Sequence, residues 1–292
     1  MLIRPLRAAD VATVERLSSD AFHALDVATR PADWPPPARR EEAQAAAWRR
    51  RCHHLLRHDA PGCWVAEDAS GIVGMATSLR RETWWGLSSY FVCPRAQGTG
   101  IGRAVLDAAL QHSQGALRGT ICSSHDPRAV RRYRQAGFTL YPVMFAWGTV
   151  DRSLLPVVDH VRSGSAGDFD LCDSVDRLTR GAGHGVDHPV MAAEHPMLVI
   201  DNGTGSGYCY VAEAGGPYLL AASNLRTATR LLWESLAAST PDRPVTVRYL
   251  TAEQEWAVDV ALEARLELHT RGYLAYRGMK PATPYVPSPH VM

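Results

Sequence analysis

The chemistry of this chain is most legible at Gln97-Gly98-Thr99-Gly100-Ile101-Gly102-Arg103, where three glycines alternate along a short loop. Glycine lets a ligand approach the backbone closely and takes the positive φ angles that a tight loop requires. The apolar run ending in Tyr90-Phe91-Val92 reads as a strand, and Ile101 to His112 reads as a helix. Successive N–H groups at such a helix start form an anion cradle that the helix dipole reinforces. The implied chemistry is binding of phosphate or pyrophosphate by main-chain amides. Two familiar phosphate loops are excluded. A dinucleotide fingerprint needs glycine at 103, where Arg103 stands, and a P-loop needs a lysine, which the first half lacks. The spacing present is Q-x-x-G-x-G, carried by Gln97, Gly100 and Gly102; a glycine-rich turn without a ligand is the plain alternative.

A second stretch, Asp126-Pro-Arg-Ala129-Val-Arg-Arg-Tyr133-Arg-Gln-Ala-Gly137-Phe138, follows a short strand at Thr120 to Ser124. Pro127 suits a first helical turn and Gly137 suits a helix stop. Together the two stretches resemble the GCN5-related N-acetyltransferase (GNAT) superfamily. Its acetyl-CoA loop reads Q/R-x-x-G-x-G/A, and its later signature reads N-x-x-A-x-x-x-Y-x-x-x-G-F, in this order. Asp126 in place of the usual Asn keeps an acceptor, loses an amide donor and adds negative charge near the cofactor arm. The resemblance covers residues 1 to about 150.

The resemblance implies acetyl-CoA as cosubstrate. Phe91 and Val92 would pair with its pantetheine arm as an added strand does. The amides of Gln97, Gly98, Thr99, Gly100, Ile101, Gly102 and Arg103 would hold the pyrophosphate, with Asp126 and the small Ala129 beside the thioester arm. Tyr133 occupies the position of the general acid that protonates the departing thiolate; a tyrosine packed in the core is the alternative. The base is open. No carboxylate lies in Trp84 to Val92, Glu82 is just upstream, and His125 could act directly or through water or be a solvated loop residue. Cys122 has no orienting acid nearby in sequence, and His53, His54 and His58 lack the H-E-x-x-H pattern, so neither a thiol nucleophile nor a metal is expected. The acceptor amine is expected against Asp33 and Trp34 of the Pro-rich segment and against Trp84 or Trp85, with Asp26 or Asp33 holding its charge.

These groups need elements to position them. The pattern predicts β-α-α-β-β-β-α-β-α-β over residues 1–150, an α/β domain with a mixed sheet and helices on both faces. A fainter repeat follows. Val161-Arg162 and Asp168 mirror Ile3-Arg4 and Asp10 at an offset of 158, and the helix ending at Ala264 mirrors the one ending at Ala136 at an offset of 128. That alignment sets Ala261 opposite Tyr133 and Arg265 opposite Gly137, and Tyr218 to Thr229 carries no glycine where the loop should be. The expectation is two GNAT-like domains in tandem: 1–150 binding acetyl-CoA, a linker at 151–160, a degenerate copy at 161–280, and an irregular Pro-rich tail at 281–292.

The formal charge is +1 (31 basic against 30 acidic), which argues against a partner such as duplex nucleic acid. Halves differ: residues 1–150 carry 19 Arg against 13 acids, or +6, leaving 12 against 17, or −5. No apolar run reaches membrane-span length, and the start lacks an apolar signal core. Six scattered cysteines without a C-x-x-C pair suit reduced thiols, so a cytoplasmic protein is expected, as monomer or homodimer. The function expected is N-acetyl transfer from acetyl-CoA to a small amine in a ternary complex. An acyl-CoA sensor without turnover is the first alternative, and acetylation of protein N-termini or lysines the second, which the Pro-rich loop disfavours because it suggests a capped pocket.

Overall fold

In the computed structural model, which describes residues 1–31 and 34–291, the chain divides into two compact units. One comprises 1–80 and 85–116, the other 81–84 and 117–292.

The first unit opens with β1 (Leu2–Pro5), α1 (Val11–Thr29) and α2 (Glu42–His58). It continues with β2 (Cys63–Asp68), β3 (Gly71–Arg81), β4 (Trp84–Val92) and α3 (Ile101–Leu110). Its strands run in the order β1-β2-β3-β4. β1 and β3 each pair antiparallel with β2, in registers such as Arg4↔Val65 and Val65↔Met75. α3 buries Ile101, Val105, Leu106 and Ala109, the single stripe that a helical period produces. Asp10 does not cap α1 as its position suggested. Its carboxylate instead accepts the Arg7 amide at 2.9 Å and the Arg4 guanidinium at 2.7 and 3.1 Å, which closes a short 3-10 turn ahead of the helix.

The second unit begins with β5 (Arg118–Ser123), α4 (Pro127–Gln135) and β6 (Thr139–Gly148). β7 (Arg162–Ser163), α5 (Phe169–Thr179), α6 (His188–Glu194), β8 (Met197–Asn202), β9 (Gly205–Val211) and β10 (Pro217–Ala222) follow. The chain closes with α7 (Leu225–Ala237), β11 (Val245–Leu250), α8 (Glu255–Glu263), β12 (Glu267–Arg277) and β13 (Tyr285–Val286). Strands are ordered β5-β12-β6-β11 in one part and β13-β10-β9-β8-β7 in the other. β12 pairs antiparallel with both β5 (Leu274↔Cys122) and β6 (Leu274↔Tyr141), while β6 pairs with β11 (Thr246↔Trp147). Each strand-helix-strand segment, β5-α4-β6 and β11-α8-β12, thus takes the last strand of the other into its gap. This exchange is why the compact units part at 116/117 rather than at residue 150.

The Pro-rich segment is irregular over most of 281–291, as its prolines suggest, but it is packed in place. β13 pairs with β10 (Ala221↔Tyr285, Leu220↔Val286), the Ala282 carbonyl accepts Gln254 Nε2 at 2.7 Å, and Tyr285, Val286 and Val291 are buried. Proline forbids a central ladder but tolerates a short edge strand. Among the described residues no helix is long and apolar enough to cross a membrane, and all six cysteines are free thiols.

Candidate active site

In the first unit, β4 ends at Val92 and a 3-10 turn at 94–96 leads into the glycine loop. Gln97 Nε2 donates to the Val92 carbonyl at 3.0 Å, and Thr99 Oγ1 donates to the Ala96 carbonyl at 2.7 Å, so the two polar side chains brace the loop from within. Gly98 (φ +82°) and Gly100 (φ +90°) are left-handed, and a Cβ at either would meet nothing within 4 Å. Their requirement is conformational, and their faces are open. Gly102 differs: a Cβ there would lie 2.5 Å from Tyr90 Oη. It lets α3 settle onto β4. Ala104 N–H makes the helix's first hydrogen bond, to the Gly100 carbonyl at 3.2 Å, so the amides of Ile101, Gly102 and Arg103 have no carbonyl one turn earlier to donate to. The Arg103 side chain is exposed and reaches Asp107 at 3.5 Å, leaving the loop's exposed face to main-chain groups. Phe91 is buried and Val92 half-buried.

The remaining motif residues belong to the second unit. Asp126 is the N-cap of α4: its carboxylate accepts the Arg128 amide at 2.9 Å and the Arg128 guanidinium at 3.0 Å. Partial burial alone would raise its pKa, but those hydrogen bonds prevail and hold it below the ordinary carboxylate range. The acid at 126 is therefore satisfied as a carboxylate. Gly137 (φ +86°) ends α4 with the Phe138 amide reaching back to the Tyr133 carbonyl at 3.0 Å. Tyr133 is 4% exposed, and Ala129 is half-buried. His125 is half-buried, and among the described residues no hydrogen bond orients its ring.

Other expectations meet different surroundings. Glu82 is engaged by Arg177 Nε at 2.8 Å, which removes it as a free base. Burial pushes the Cys122 thiol far above its usual value, the opposite of an activated nucleophile. Trp84 and Trp85 are 1% and 0% exposed. The Trp84 indole donates to Thr120 Oγ1 at 3.1 Å under the Arg180 guanidinium, so in this conformation neither indole presents a face to an acceptor. Trp34 is half-buried, with its carbonyl accepting from Arg30; Asp33 lies outside the described residues, and Asp26 is half-buried near the end of α1.

The later segment that the sequence pattern aligns with this motif shares its helix stop but not its tyrosine. Arg265 (φ +63°) ends α8 as Gly137 ends α4, with Leu266 N–H reaching the Ala261 carbonyl at 3.0 Å, but Ala261 stands where Tyr133 would be. Asn224 caps α7 by accepting the Thr227 amide at 2.9 Å, and a Cβ at Gly205 would strike Asn224 Nδ2 at 2.2 Å. A side-chain cap and a close-packed hairpin cover the helix start that would cradle phosphate. The motif expectations also pass over Asp173, Asp176, His184 and His188. Their i,i+3 and i,i+4 spacing was the available signal.

Residues 20–138 match the acetyltransferase (GNAT) family profile. Among solved structures, a protein assigned as an acetyltransferase from Pyrococcus horikoshii is similar at a TM-score of 0.72 and 15% identity, covering 96% of this chain and 89% of that one. GCN5-related N-acetyltransferases from Sphaerobacter thermophilus (TM-score 0.60, 14% identity, 94% of this chain, 95% of that one) and Kribbella flavida (0.59, 14%, 94%, 70%) share the fold. No curated protein matches the sequence. Members of the GNAT family use acetyl-CoA as cosubstrate. Residues 20–138, which contain the glycine loop leading into α3 and the α4 motif, thus match the acetyltransferase (GNAT) family, and the chain shares the fold of solved GNAT structures.

Proposed function

We propose that this protein transfers the acetyl group of acetyl-CoA to the amine of a small molecule, directly, with both substrates bound at once. The observation that carries this reading is the pair of left-handed glycines, Gly98 and Gly100, open on their outer face and leading into the unpartnered first amides of α3. Such a turn is built for a pyrophosphate. In the reaction the neutral amine attacks the thioester carbonyl, the C–S bond breaks, and the thiolate takes a proton. Tyr133 is the donor in this proposal: a buried phenol on the helix whose N-cap, alanine and terminal glycine match the family pattern. His125, directly or through water, receives the amine proton. Positioning supplies most of the acceleration, because acyl transfer between two held reactants needs little further covalent help.

The sensor reading draws on one observation: no carboxylate lies in Trp84–Val92, and the nearby Glu82 is tied to Arg177. A panel of small amines with acetyl-CoA, read as free thiol, separates the two. Transfer is expected with at least one amine, and Tyr133→Phe is expected to lower kcat by roughly tenfold to ten-thousandfold while one CoA per chain still binds with little change in affinity. An unchanged kcat removes Tyr133 from proton transfer. Absence of thiol release with every amine, beside normal CoA binding, leaves the sensor.

A further inference from the structure

A second group of chemistry-bearing side chains lies within the second unit, on elements that carry neither of the family's motifs. α5 carries Asp173 and Asp176 one turn apart, and the loop Gly181-Ala182-Gly183-His184-Gly185 leads to α6, placing His184 and His188 one turn apart. A Cβ at Gly183 would lie 2.5 Å from Asp173 Oδ1, so glycine there lets the loop close down over α5. The Gly185 amide then donates to that carboxylate at 2.8 Å. Asp176, His184 and His188 are each 0% exposed. Around them are Cys172, Val175, Met191 and Met197, an apolar setting in which a carboxylate and two imidazoles are costly to bury.

We propose that Asp176, His184 and His188 hold a structural divalent metal ion of the zinc class, with Asp173 completing the shell. The ligand atoms of Asp176, His184 and His188 lie within 4.8 Å of one another. Asp176 Oδ2 is 2.7 Å from His184 Nδ1 and 3.6 Å from His188 Nε2, and Asp173 Oδ1 is 3.2 Å from the same Nε2. Tetrahedral bonds of about 2.1 Å set ligand atoms roughly 3.4 Å apart, so the Asp176–His184 pair must open and the wider pairs must close. The surrounding hydroxyls stand where outer partners of metal ligands belong. Tyr208 Oη is 2.6 Å from Asp176 Oδ1, and Tyr210 Oη is 3.0 Å from His188 Nδ1. On binding, His188 coordinates through Nε2 and its proton moves to Nδ1, where Tyr210 Oη accepts it. His184 coordinates through Nδ1, and its proton moves to Nε2.

What points to an ion rather than to hydrogen bonding alone is the enclosure: three groups that each offer a metal a lone pair are wholly buried, with their ligand atoms within 4.8 Å of one another. Two imidazoles and two carboxylates without a thiolate select a borderline divalent ion, whose charge the carboxylates cancel. Enclosure of all three side chains, with no open position, makes the role structural rather than catalytic.

The test uses the full chain stripped with a chelator and titrated with Co²⁺. One Co²⁺ per chain is expected, with visible absorption of a four-coordinate site, displacement by Zn²⁺, and a thermal midpoint raised by several degrees. X-ray absorption of the zinc form should show two imidazole ligands. His188→Gln should abolish uptake, and a chain with His53→Ala and His58→Ala should retain it. A folded, stripped chain that takes up neither ion overturns the proposal, as does full uptake by folded His188→Gln. If that variant does not fold, the wild-type stoichiometry and ligand count decide. Transfer activity plays no part in the readout.

Discussion

Three glycines of one loop serve two physical purposes. Gly98 and Gly100 are there for φ, and Gly102 for the space below it. Gly102→Ala should therefore drive a methyl group against Tyr90 Oη and lift the start of α3, at a cost of about 1–3 kcal/mol in stability together with weakened CoA binding. Tyr90→Phe in the same chain removes the struck oxygen and should recover part of both losses. Urea unfolding and CoA calorimetry on the three variants check this; a Gly102→Ala chain matching the parent in both measurements shows that Tyr90 yields freely. The glycine spacing was legible in the sequence because one residue type at fixed intervals is itself the backbone requirement. Tyr90 was not, because nothing in the order of residues says which β4 side chain lies under α3.

Among the elements, the same brace occurs twice. Arg4 clasps Asp10 ahead of α1, and Arg162 clasps Asp168 ahead of α5, each pair six residues apart with the carboxylate also accepting a main-chain amide. The Arg162 hydrogen bond holds Asp168 down to about 2, below the ~3.9 of an unfolded aspartate. As pH falls the unfolded chain binds that proton first, so the brace stabilises fully above about pH 4 and its contribution is lost as pH falls through 2. Because Arg162 is half exposed, about 1 kcal/mol is at stake. Asp168→Asn should lose that amount at neutral pH and flatten the stability curve between pH 4 and 2; an unaltered acid limb in denaturant titrations would discount the pair. The turn at 81–84 is held more firmly. Arg81 makes a two-pronged ion pair with Asp187 at 2.8 and 2.6 Å, with side chains 8% and 1% exposed. Asp187→Ala leaves a buried guanidinium without its carboxylate and should cost about 3–5 kcal/mol in thermal or urea unfolding. A loss below 1 kcal/mol would mean that water reaches Arg81.

For the molecule as a whole, the placing of β12 between β5 and β6 couples the segment 118–148 to the segment 245–277. A chain ended after residue 160 retains both GNAT motifs but lacks β11 and β12, which flank β6 and, in the case of β12, also cover β5. Unpaired central strands expose apolar faces and ladder groups together. Such a chain should therefore fail to fold, seen as lost near-UV circular dichroism and rapid proteolysis. A protease-resistant 1–160 fragment that binds CoA would show that the first segment folds without the second.

The sequence by itself determined the local features: the glycine loop and the α4 signature with its terminal glycine, since each depends on residues a few positions apart. Long-range partnership was decided only in the tertiary structure. Burial in the folded chain closed off Trp84, and the ion pair with Arg177 engaged Glu82. Strand pairing set β13 within the Pro-rich end and carried β12 into the gap between β5 and β6. Pairing a strand with one 130 residues away leaves no mark on either segment, because the same alternating apolar pattern satisfies many partners. The choice among them is made by which combination buries all the apolar faces at once.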